Sequence, residues 1–146
     1  MLLILITRIG SKMSTLLFKT SANGHPGTIL IDPLHIAFAM AAEGDKTLLH
    51  LDLPTFLAQI CENEVLLDET FQDVGNRLAE KRHHFNFLTY KDNNAELICN
   101  PLKFIYAESV MDKDTDEPYS LVHLKSSWIV PVVETPEVIQ QRFGHN

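Results

Sequence analysis

Apolar and polar positions alternate along Thr47 to Leu53 (TLLHLDL) and again along Ser120 to Ser126 (SLVHLKS). That period of two is the mark of a strand with one face buried. It sets Leu49, Leu51 and Leu53 on one side and Leu48, His50 and Asp52 on the other. In the second stretch Val122 and Leu124 turn inward, and Leu121, His123 and Lys125 turn outward. Each stretch follows another that reads almost the same twice. Ile29 to Ala39 is ILIDPLHIAFA, and Leu97 to Ala107 is LICNPLKFIYA. In each, an Asx-Pro pair interrupts an apolar run, because proline offers no ladder donor.

Upstream, LLFKT with Asn23-Gly24 and FNFLT with Asn93-Asn94 each predict a hairpin, since Asn and Gly tolerate positive φ. The blocks keep their order, so the pattern predicts an internal duplication of antiparallel β-meanders, about residues 14–53 and 84–134. A helical connection fills 54–83. Glu43 to Lys46 makes one turn, and Asp112 to Pro118 makes a longer, solvated one. The second copy closes with Trp128 to Val133; the first shows no such closing strand.

Three helices are expected. One starts at Asp52-Leu53-Pro54 and presents Phe56, Leu57, Ile60 and Cys61 as an apolar stripe. A second runs from an Asp68 cap to about Arg82, with Phe71, Val74 and Leu78 on one face and Gly75 weakening it. The third starts at Thr135-Pro136-Glu137 and extends through Gln141. The expected fold is one α+β domain over residues 1–146. It has two pseudo-repeated meanders and short helices in the middle and at the C-terminus.

The formal charge of −7 makes a general nucleic-acid binder an unexpected reading, because such proteins neutralise phosphates with basic faces. Two cysteines, Cys61 and Cys99, both in apolar contexts, read as small buried hydrophobes in a reducing, cytoplasmic compartment. Leu2 to Ile6 suits an extra strand, or else translation starts at Met13. No run has the length of a membrane span, and no membrane partner is expected.

Residues Asn100-Pro101-Leu102-Lys103-Phe104, Ser120 to Leu124, Trp128 to Val133 and Glu134-Thr135-Pro136-Glu137-Val138 resemble the small FlbD/SwrD-type β modules associated with bacterial flagellar genes. The likeness spans the last third of the chain and implies a strand, a hairpin and a closing strand that runs into a helix.

Candidate chemistry is sparse. Asp112-Lys113-Asp114-Thr115-Asp116 imitates the opening of a calcium loop, but Glu117 and His123 stand where glycine and a bidentate glutamate are required. Neither a nucleophile elbow nor a P-loop is present, and no cofactor or metal is implied. His50 with Asp52 is the one pair suited to hydrolysis, and the second copy has His123 with Lys125 instead. The matched histidines His50 and His123, with Arg82, mark a ligand groove about a pseudo-two-fold axis. Arg77, Lys81, Arg82 and His83 form the one positive concentration and mark a partner surface. Phe38, Phe85, Phe87, Phe104, Tyr106 and Trp128 fall at core-facing positions.

The leading reading is a non-enzymatic interaction protein, a regulator, inhibitor or assembly component of bacterial or phage type. It acts on another protein or on a second copy through strand edges beside Pro33 and Pro101. The alternatives are sequestration of an anionic ligand such as a nucleotide between the repeats and, third, hydrolysis by His50 and Asp52.

Overall fold

The computed structural model describes residues 15–22, 25–80 and 83–144. The readings of Leu2 to Ile6, Met13 and the Asn23-Gly24 turn lie outside them. The chain begins with β1 (Leu16–Ala22), β2 (His25–Ile31), a 3-10 turn (Pro33–His35), β3 (Ile36–Ala42) and β4 (Lys46–Leu51). Helix α1 (Thr55–Ala58), β5 (Glu64–Leu67) and α2 (Phe71–Leu78) follow. Then come β6 (Asn86–Thr89), β7 (Glu96–Cys99), a second 3-10 turn (Pro101–Lys103), β8 (Phe104–Met111) and β9 (Pro118–Leu124). A third 3-10 turn (Lys125–Ser127), β10 (Trp128–Val132) and α3 (Pro136–Phe143) complete it. The architecture is α+β and mostly antiparallel sheet.

Seven strands pair in the order β2-β1-β5-β4-β3-β7-β6, and three in the order β10-β9-β8. A bridge from Tyr90 to Val132 connects β6 to β10. The backbone can therefore be followed across ten strands, β2-β1-β5-β4-β3 and then β7-β6-β10-β9-β8. The two runs meet where β7 pairs with β3, with Cys99, Ile98 and Leu97 opposite Phe38, Ala39 and Met40.

Local chemistry explains the elements. Asp32 and Asn100 each fold their side chain back to accept the N–H two residues on, Leu34 and Leu102, both at 3.0 Å. The proline between fixes φ and opens a 3-10 turn. Both following strands carry a bulge in the same place, between Ile36 and Phe38 and between Phe104 and Tyr106. Gly44 and Asp45, both at positive φ, turn β3 into β4, and Asn94, at φ 56°, turns β6 into β7.

The helices differ from expectation. Helix α1 is one turn long, with Phe56 and Ile60 exposed, because its apolar stripe finds no facing element. Cys61 is exposed as well, whereas Cys99 is buried. Thr70, not Asp68, caps α2 by accepting from Asp73 N–H, and α2 ends at Leu78 rather than near Arg82. Thr135 caps α3 in the same way through Val138 N–H, and α3 runs past Gln141 to Phe143. The first half does have a closing strand, β5, which pairs with β4 and meets β1 at Thr20 and Leu67.

Two apolar clusters fill the interior. The first gathers Phe18, Ile36, Leu49, Leu67, Val74 and Leu78 and takes in Phe85 and Ile98 from the later half. The second gathers Leu88, Leu97, Val122, Val130, Val132 and Ile139 and takes in Ala37 and Phe38 from the earlier half. Each cluster is thus completed across the β3–β7 junction.

Candidate functional site

His50 was expected on the solvent face of β4; it is buried instead. Its ring lies parallel to Phe38 at 4.0 Å between centroids, and Trp128 stands edge-on at 4.8 Å. Trp128 is held there by its indole N–H, which donates to Leu51 C=O at 2.9 Å. Burial lowers the His50 pKa to about 4, so the ring is neutral at pH 7. Asp52, the other half of the hydrolytic pair, binds Lys103 Nζ at 2.8 Å and the Ser126 hydroxyl. Burial pushes the Asp52 carboxyl up, but the hydrogen bonds from Lys103 and Ser126 outweigh it and hold the pKa below the usual carboxylate value. The carboxylate ties the two halves together. The geometry gives His50 and Asp52 structural partners on separate sides.

His123 sits in the three-stranded sheet, stacked on Tyr106 at 4.0 Å, with Glu108 Oε1 at 3.2 Å from Nε2. The two histidines therefore occupy matching positions in different sheets, each on its own aromatic partner. Arg77 lies over the Phe18 ring at 4.4 Å and 3.6 Å from Glu69. His83 is buried, and Lys81 and Arg82 lie outside the described residues. Arg77 is thus half-buried against Phe18 and Glu69, while His83 is buried. Burial pushes the Cys99 thiol up to about 12, which removes it as a nucleophile. Among the described residues no group of His, Cys, Asp and Glu could hold a metal ion.

What remains open is an edge. Among the described residues, β8 ends the three-stranded sheet and pairs with β9 alone. Tyr106, expected in the core, is 48% exposed, and its neighbour Ile105 is 56% exposed. At the inner side of this edge lies an apolar cleft of about 380 Å³, walled by Pro101, Leu102, Phe104, Ala107, Ile139 and Phe143. At the other end of the ten-strand path, β2 is also unpaired on one side among the described residues. There Leu30 and its cross-strand partner Leu17 are 62% and 56% exposed.

The edge of β3 is covered. Ile36, Ala37, Phe38 and Ala39 are all buried beneath β7. Phe87 and Ile98, cross-strand partners on β6 and β7, pack on the cluster that holds Ile36, Ala39, Val74 and Leu78. Gly75 makes room there: a Cβ on it would come within 3.1 Å of the Phe87 ring. Asn100 seals the seam, donating Nδ2–H to Ile36 C=O at 3.0 Å and Pro33 C=O at 3.4 Å.

Further matched contacts lie outside the strands read from the sequence. Glu69 accepts the Lys19 N–H at 2.7 Å, and Glu134 accepts the Thr89 N–H at 2.9 Å. Each glutamate precedes a threonine cap and faces the arginine eight residues on, Arg77 or Arg142. The recurrence of Glu-Thr and of Arg before an apolar residue, at one constant offset, was a signal in the sequence. Helix amphipathicity alone passed over it. Among protein-family models, curated proteins and solved structures, the chain has no significant match.

Among the described residues no helix is long and apolar enough to cross a membrane.

Proposed function

We propose that this chain is a non-enzymatic interaction protein built from two copies of one unit, residues 16–78 and 86–143, and that it works by holding another protein chain at its β8 edge. Each unit on this reading is a hairpin, an Asx-Pro turn, a second hairpin, a closing strand and a capped eight-residue helix. The unit is larger than the meander visible in sequence, and it absorbs the supposed helical connection. The units join through unlike edges, β3 of the first to β7 of the second, and not about a two-fold axis. The likeness of the last third to small flagellar-type modules fits a unit of this kind.

One observation carries the functional reading. On the two-unit reading the same surface occurs twice, covered by a strand at β3 and bare, among the described residues, at β8. The covered version, at β3, shows what the surface accepts: an extended strand followed by an Asx-Pro turn, with apolar side chains in the cleft. The version at β8 has, on its outer side, backbone groups that no described strand pairs, beside exposed Ile105 and Tyr106. Long apolar edges of this type are templates for pairing. A regulator, inhibitor or assembly component needs only such a surface.

The test is partner capture by in-cell crosslinking, comparing the wild type with Ala107→Pro, which removes a β8 donor, and with Leu66→Lys on another face. Chains captured by the wild type and by Leu66→Lys but lost with Ala107→Pro support the reading. A capture profile that Ala107→Pro leaves unchanged refutes it.

A further inference from the structure

We infer that the occupant of the β8 edge is the β1–β2 hairpin of a second copy of this chain, so that molecules add head to tail. The inference rests on the two-unit reading above and names the partner that reading leaves open.

The argument follows from the strand path. Five strands of the first unit end at β3, and five of the second begin at β7. Under the two-unit correspondence β8 answers to β3, and β2 answers to β7. The bare ends of one molecule are therefore the two sides of the contact already made in its middle. Carried over in register, Leu97, Ile98 and Cys99 opposite Met40, Ala39 and Phe38 become Ile29, Leu30 and Ile31 opposite Glu108, Ala107 and Tyr106.

The side chains agree with the backbone. Phe87 and Ile98 fill the first cleft; their counterparts are Leu17 and Leu30, the exposed pair on the bare hairpin. The cleft they would enter is the open one walled by Phe104, Ala107, Ile139 and Phe143. The sizes change in opposite senses. Where the covered cleft pairs a large Phe87 with Gly75, the open one pairs a smaller Leu17 with Gln140.

Two exchanges make the contact between molecules weaker than the one within. Asp32 stands where Asn100 does, and a carboxylate cannot donate to the carbonyls of Phe104 and Pro101, the counterparts of Ile36 and Pro33. The bond from Lys103 to Asp52 becomes His35 facing Lys125, with no opposite charge. A head-to-tail contact has no built-in stop and grows into rings or filaments. Asp32 is the residue that restrains it.

The experiment is disulfide trapping in a Cys61→Ser background, which removes the exposed native thiol. Leu30→Cys and Ala107→Cys chains, made separately and mixed under mild oxidation, should form a mixed dimer, because these positions would face each other directly. Leu30→Cys mixed with Val110→Cys, out of register, should give at least tenfold less. Sedimentation should show concentration-dependent association, with Asp32→Asn tightening it at least tenfold. Equal trapping at positions 107 and 110 overturns the inference, as does a strictly monomeric Asp32→Asn chain. If that chain stays monomeric while Ala107→Pro still abolishes capture of other proteins, the second copy is wrong and the interaction edge stands. If capture is insensitive as well, both fall.

Discussion

Acid should unfold this protein partly through one side chain, His50. The folded state keeps the ring neutral down to pH about 4, whereas the ordinary value is 6.5. Between those pH values the unfolded chain binds a proton that the native state refuses, so stability is complete above pH 6.5 and falls as the pH drops towards 4. Each pH unit in that window is worth about 1.4 kcal/mol, which gives a loss of about 3 kcal/mol by pH 4. This is an upper figure, because Glu64 Oε2 lies 3.6 Å from Nδ1 and would partner the imidazolium that forms. His50→Phe fits the same slot, stacked on Phe38 and capped by Trp128, and has no proton to gain. Urea denaturation of both proteins at pH 7, 6, 5 and 4 isolates the effect, because every other titrating group cancels in the difference. The variant should lie within about 1 kcal/mol of the wild type at pH 7. At pH 4 its relative stability should have risen by about 2–3 kcal/mol. Parallel stability curves across that range would refute the argument.

Three further outcomes follow from the matched pairs. Asn100→Asp should cost about 3 kcal/mol or more in chemical denaturation, because it buries a carboxylate against Ile36 C=O, while Asp32→Asn at the half-buried position before Pro33 should change stability by less than about 0.5 kcal/mol. Gly75→Ala should cost about 1–2 kcal/mol through the Phe87 ring at 3.1 Å, and the cost should shrink in a Phe87→Leu background, read as a double-mutant cycle. Glu134→Ala orphans the Thr89 N–H and hydroxyl and should cost about 3 kcal/mol, against about 1 kcal/mol for Glu69→Ala, which loses one exposed hydrogen bond from Lys19 and the longer contact to Arg77. Equal losses at the two glutamates would contradict that ordering.

The strands around the Asx-Pro pairs were legible because their causes are local. Proline removes a donor, and Asp or Asn folds back on the next turn; both hold in the structure for Asp32 and Asn100. Helix α1 misled for the opposite reason. Phe56, Leu57, Ile60 and Cys61 have helical spacing, but all except half-buried Leu57 stay exposed, and four residues is too short to persist as an independent helix. Strand β5 was missed because four residues, EVLL, carry little period; it forms because β4 and β1 leave a gap for it.

Burial at the site was the least legible property, and Phe38 and Tyr106 show why. Both follow the same turn and the same bulge, and both stack on a histidine one strand over. Nothing in their own segments separates them, yet Phe38 is buried and Tyr106 is half exposed. The difference lies some sixty residues away, in what the chain lays over each. Phe38 receives β7 on its strand edge and the Trp128 ring in a T-shaped contact, and Tyr106 receives neither from the described residues. Alternation along a strand says which side chains want cover. It does not say which molecule supplies that cover, and for the β8 edge that question is itself the question of function.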